Sequence, residues 1–248
     1  MKLVREHLNE IKQNIEGSGL GALGVGRESI KRKVIETIKE WESASWQNYR
    51  TEFTVDPDDL SVSIVGNFFL DMLDLETIPD FIKFKKIDGN FFIVARCNLT
   101  SLRGVPTIVN GDFKCSGNEL HSLEFAPEFV KGSFSCDYNR LESLEFLPNG
   151  INGDLEIHHN QLNSLKYCPK VVNGNFNCSS NRLDSLWCGP EIVRGDFNCS
   201  HNYLKSLEFV PRVVSGNFIG RNNPVKFTHI MVRKAGCRVG GVVNFKST

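Results

Sequence analysis

The sequence carries no net charge: 29 Lys and Arg balance 29 Asp and Glu over 248 residues. General nucleic-acid binding needs a dominant basic face, so neutrality argues against it. The distribution argues further, because residues 57–220 hold 14 basic and 20 acidic side chains, while Arg221 to Thr248 hold six basic and no acidic ones. Long apolar runs are also missing. No stretch approaches the roughly 20 residues of a membrane span, and Met1 to Glu16 mixes charge throughout, without the apolar core of a secretion signal. The expectation is a cytoplasmic protein with no membrane partner. Eight cysteines are present, but none forms the C-x-x-C pair of zinc and redox motifs. The segment Gly19-Leu-Gly-Ala-Leu-Gly24 has dinucleotide-fingerprint spacing, yet no strand precedes it and no βαβ pattern surrounds it, so it reads as a linker. No cofactor and no metal are expected.

What the sequence does contain is a repeat. Gly111, Gly132, Gly153, Gly174 and Gly195 each open a 21-residue unit, and Gly216 begins a partial one. Gly89 opens a 22-residue unit, and Gly66 a degenerate copy with Phe68, Leu75 and Ile78. Self-similarity at a period near 20 residues marks a solenoid. Two places after the glycine stands Phe113, Phe134, Leu155, Phe176 or Phe197, and two further on Cys115, Cys136, Ile157, Cys178 or Cys199. This alternation predicts a short strand with one buried face. Asn118, Asn139, Asn160, Asn181 and Asn202 follow, positioned to bond the backbones of neighbouring coils. Two leucines per unit, from Leu120 and Leu123 to Leu204 and Leu207, complete the inward set, and a proline such as Pro127 stiffens the return path. Ile157 in the cysteine column says that the site wants a small apolar side chain, so reduced structural thiols are expected.

The predicted fold class is therefore an α+β repeat: a leucine-rich-repeat-like solenoid of 21-residue coils with one short parallel strand per coil. Its expected parts are an amphipathic helix (Val4, Leu8, Ile11, Ile15) with a Gly-rich linker over 1–26, a helix plus β-hairpin cap over 27–65, the solenoid over 66–220 and a basic cap over 221–248. The run Gly-Asp-Phe-x-Cys-Ser-x-Asn-x-Leu-x-Ser-Leu resembles repeat proteins encoded by tailed bacteriophages, as does the opening Met1-Lys-Leu-Val-Arg-Glu-His-Leu-Asn-Glu10. That resemblance implies a host-cell setting. Leu8-Asn9-Glu10 also resembles the Leu-x-Glu cleavage sequence of phage head-targeting peptides, which implies a virion-packaged protein as the alternative. The Asn-x-Leu-x-x-Leu pattern with a following Pro is similar to type III secreted effectors, but the 28 residues after Gly220 are too few for the ligase domain some of those carry.

No catalytic constellation stands out. His158, His159 and His201 occupy variable positions after the strand and read as surface residues. The outward strand positions form the candidate partner-binding concave face: Asp112, Lys114, Ser135, Asp137, Asp154, Glu156, His158, Asn175, Asn177, Asp196 and Asn198. Phe125, Phe146, Tyr167 and Phe209 recur two residues after the second leucine and are expected to be mostly core. Trp187, one place earlier in its coil, is the exception that would make the convex side a second surface. The functional expectation is a non-enzymatic protein–protein interaction scaffold.

Overall fold

The computed structural model describes residues 25–44, 51–71, 75–93 and 97–245. The first amphipathic helix, the Gly19–Gly24 linker and the Leu8–Glu10 sequence lie outside them. The chain forms a mostly parallel β-solenoid of about eight coils of about 21 residues, with an N-terminal helix and a small antiparallel pair. Helix α1 (Val25–Ala44) places Val34, Ile38 and Trp41 in the core. Strands β1 (Glu52–Val55) and β2 (Val62–Val65) pair antiparallel around the turn at Asp56-Pro-Asp-Asp59. The hairpin of the predicted cap is therefore present.

The main sheet has nine strands, all parallel, from Phe68–Leu70 through Phe113–Lys114 and Leu155–Glu156 to Val243–Asn244. Its register is one coil per strand: Phe113 opposes Phe134, Leu155 opposes Phe176, and Phe197 opposes Phe218. Inward-facing rings stack along the axis, with Phe91–Phe113, Phe113–Phe134 and Phe176–Phe197 centroids 6.0, 5.5 and 5.6 Å apart. Leu155 interrupts that stack. Cys115, Cys136, Cys178 and Cys199 are fully buried beside it, and burial pushes their thiols far above the ordinary range, Cys199 up to about 12. These thiols are packing groups, because the reactive form of cysteine is the thiolate.

One strand per coil was expected, and most coils have two. Apolar pairs before each glycine form further parallel strands, Ile108–Val109, Phe129–Val130, Val171–Val172, Ile192–Val193 and Val213–Val214. The inner residue of each pair is buried, and Val109, Val172, Val193 and Val214 bond the next coil, as in Lys131 N–H to Val109 C=O at 3.0 Å and Arg194 N–H to Val172 C=O at 2.9 Å. This second face is split in two. In the intervening coil Gly150 replaces the outer apolar residue, and the Phe129 ring lies where its Cβ would stand.

Coil is tied to coil by two side-chain ladders. Asn139 shows the first: its Nδ2 donates to Cys115 C=O of the previous coil (2.9 Å) and Cys136 C=O of its own (3.1 Å), while its Oδ1 accepts from Leu120 N–H (3.0 Å). Asn160, Asn181, Asn202 and Asn223 repeat the pattern. Cys97 takes the asparagine's place at the head of the ladder, with Sγ 3.4 Å from Leu70 C=O. The second ladder runs beside the glycines, and it bears directly on the candidate surface.

Candidate interaction surfaces

Asp112, Asp154, Asn175 and Asp196, expected on the outward face, share one column with Ser133 and do not project freely from it. Instead each side chain accepts the backbone N–H of the same position in the next coil: Asp112 from Ser133 (2.8 Å), Ser133 from Asp154 (3.0 Å), Asp154 from Asn175 (2.6 Å), Asn175 from Asp196 (2.8 Å) and Asp196 from Asn217 (2.6 Å). The glycine ahead of each makes room for this. A Cβ on Gly132 would stand 2.2 Å from the Asp112 carboxylate and 2.8 Å from Gly111 backbone. A signal was present in the sequence, since every such position carries a short acceptor directly after a glycine. Alternation alone could not separate a ladder residue from a surface residue.

The next two columns do lie on the outer side of the main sheet. Lys114, Glu156, Asn177 and Asn198 are half-buried, whereas Ser135 is buried. Lys114 sits over the Phe92 ring at 5.2 Å. The structure brings Asp137, Glu156 and His158 together: His158 Nε2 lies 3.5 Å from Glu156 and 3.7 Å from Asp137. His158 Nδ1 lies 2.8 Å from His159 Nδ1, and the His159 ring stacks on Tyr138 with centroids 4.1 Å apart. His158 is therefore half-buried, whereas His159 and His201 are exposed as expected. Burial drives the Glu156 carboxyl up to about 7, helped by Asp137 and Asp154 and opposed by Asn177 and Lys114. Desolvation lowers His158, against the pull of Asp137. Ser116 Oγ donates to Asp137 at 2.6 Å, so the order is Ser–Asp–His. An activated serine needs the imidazole in the middle, within reach of the hydroxyl. Among the described residues no group of three or more His, Cys, Asp and Glu is placed to hold a metal ion.

The opposite outcome holds for the aromatics expected to be core. Phe125, Phe146 and Phe209 are 53, 54 and 51% exposed and Tyr167 48%, while Trp187, set apart from them in the sequence, is 59% exposed. Their local geometry explains it. Leu123 C=O accepts from Ala126 N–H at 2.8 Å, and Phe125 is the third residue of that turn with φ +67°. A positive φ there is the mark of a type II turn, whose usual occupant is glycine. Phe146, Tyr167, Cys188 and Phe209 repeat the turn at φ +68, +72, +66 and +64°. In the coil before them the same place is held by Gly104 at φ +90°, with Val105 N–H bonded to Leu102 C=O. The turn swings each ring off the buried leucine face and onto the corner of the solenoid.

Compared with family models, curated proteins and solved structures, the chain matches none of them. The fold stands on its own geometry. Among the described residues no helix is long and apolar enough to cross a membrane.

Proposed function

We propose that this protein is a non-enzymatic scaffold that presents a rigid surface to a protein partner. The observation that carries the reading is the row of exposed rings from Phe125 to Phe209. Bulky side chains in the left-handed region cost about 1–2 kcal/mol each, and nothing in the stacking of coils requires a ring there, since Gly104 makes the same turn. Large aromatics that are exposed and locked by the backbone are the anchors of which interface hot spots are made. The outer face of the main sheet, centred on Asp137, Glu156 and His158, is the second surface available to a partner. Its Ser–Asp–His order supports a binding role over a hydrolytic one.

The repeat is taken as leucine-rich-repeat-like, and the resemblance to tailed-phage proteins puts the partner in an infected bacterial cell, as a host or viral protein. The test is affinity purification of the tagged protein from bacterial cells with and without infection. One stoichiometric partner, lost on substitution of the exposed rings or of the sheet face, is the expected result. Recovery solely with capsid proteins would make it a packaged component instead, and no retained partner would sink the scaffold reading.

A further inference from the structure

The ridge is not uniform along its length, and the variation points to the chemistry of its occupant. In the coil of Tyr167 the neighbouring Lys166 places its ammonium over the ring, 4.8 Å from the centroid. At the corresponding place the coils of Phe125 and Phe146 carry Glu124 and Glu145, both exposed. Glu128 and Glu142 are exposed in the same two coils, and Phe129 adds a ring 40% exposed on the return path. Of the basic residues there, Arg140 is engaged by Glu119, and Lys131 follows the Phe129–Val130 strand. Among the described residues no cation pairs with Glu124, Glu128, Glu142 or Glu145.

Tyr167 thus shows a ridge ring with a cation on its face, a favourable arrangement because the ring quadrupole attracts positive charge. The Phe125 and Phe146 coils have rings of the same placement and carboxylates where that cation would come from. We infer that the end of the ridge formed by Phe125, Phe129 and Phe146, with Glu124, Glu128, Glu142 and Glu145 beside it, is a docking site for an extended, arginine- or lysine-bearing segment of a protein partner. Cationic heads seat over the rings and pair with the glutamates, while the aliphatic stems cover the apolar edges. Arginine is favoured over lysine, because its planar group both stacks and bonds carboxylates in a bidentate way.

The inference rests on the scaffold reading but can fail apart from it. The probe is a fluorescently labelled peptide alternating glycine and arginine, titrated with the full chain at near-physiological salt, beside its glycine–lysine and glycine–glutamate counterparts. Binding of the arginine peptide, weaker binding of the lysine peptide and none of the glutamate peptide are expected. Phe125→Ala with Phe146→Ala, and separately Glu124→Gln with Glu145→Gln, should each weaken the arginine peptide about tenfold. Glu28→Gln with Glu36→Gln removes the same charge from exposed positions on α1 and should leave binding within about twofold of the starting value. Unchanged melting by circular dichroism checks that the variants fold.

Three results overturn the site: no binding to the unaltered chain, indifference to loss of the rings, or equal loss from the α1 pair. The last two would mean general attraction to an acidic body. If affinity purification meanwhile yields a partner whose retention ignores Phe125 and Phe146, the scaffold survives and this docking site does not.

Discussion

Two columns of aromatic residues run along this solenoid, and they do opposite things. The column of Phe113, Phe134, Phe176, Phe197 and Phe218 is buried, with stacked pairs on either side of Leu155 and an edge-to-face contact between Phe197 and Phe218. The column of Phe125, Phe146, Tyr167 and Phe209 is half exposed, each residue held at positive φ. Both recur with the same 21-residue period, so periodicity says only that a position is repeated. What separates them is the local backbone: a two-residue strand turns one ring inward, and a turn that ordinarily takes glycine turns the other out. A repeat can therefore write a core and a surface in the same residue type.

The sharpest way to break that comparison is to truncate one ring from each column. Phe134→Ala leaves a cavity in the core between Phe113 and Leu155 and should cost about 3–5 kcal/mol by chemical denaturation. Phe146→Ala removes a side chain that is already half in water and should cost less than about 1 kcal/mol. Phe125→Gly sharpens the point, because relief of positive φ offsets the lost contact and the backbone entropy of glycine; it should fall within about 1 kcal/mol of neutral. Equal losses at Phe134 and Phe146 would mean that both columns are core and that the ridge is no surface.

The next effect in size tests the ladder that both columns share. Asn139→Ala leaves the buried Leu120 N–H without its acceptor, while the Cys115 and Cys136 carbonyls each lose one of two amide donors and keep those of Asn118 and Asn160. Leaving one buried N–H unsatisfied costs about 1–3 kcal/mol, so a loss of that size is expected. A neutral result would show that water replaces the amide, and that the asparagines mark register without holding it.

The buried half of this fold was legible in the sequence for a physical reason. Glycine spacing set the coil length, and alternation around Phe113 and Cys115 set the inward face; burial leaves few residue types that fit. The second parallel face was not legible as a sheet, because pairs such as Val171–Val172 are too short to show a period. The candidate surface was legible only in part. Asp112, Asp154, Asn175 and Asp196 have the polarity of surface residues, yet they serve as backbone acceptors between coils. Phe125 has the polarity of a core residue, yet it stands on a corner. In both cases hydropathy misreads a residue whose position is set by a turn or a hydrogen bond. The equivalence of Gly104 with Phe125, once the extra residue of that coil is allowed for, was the one sign in the sequence that the aromatic column occupies a turn.

The smallest effect concerns the other surface, and its sign depends on pH. Burial holds the Glu156 carboxyl in its neutral form up to about pH 7, above the ordinary range of a glutamate. Between those two limits the folded chain binds more protons than the unfolded chain, so the contribution of Glu156 to stability falls as pH rises through that window. His158 acts in the opposite sense. Desolvation lowers its pKa, so the folded chain binds fewer protons there, and stability is lost as pH falls below the ordinary histidine value. Glu156→Gln removes the first effect and retains the second. Denaturation of both proteins from pH 5 to pH 8 should therefore show the variant gaining on the unaltered chain as pH rises, with most of the change complete by about pH 7. A constant difference would place the carboxylate in water, and the sheet face would then be an ordinary solvated surface. A gain would mean that this face holds a desolvated acid beside His158, a second place where charge on a partner would be felt.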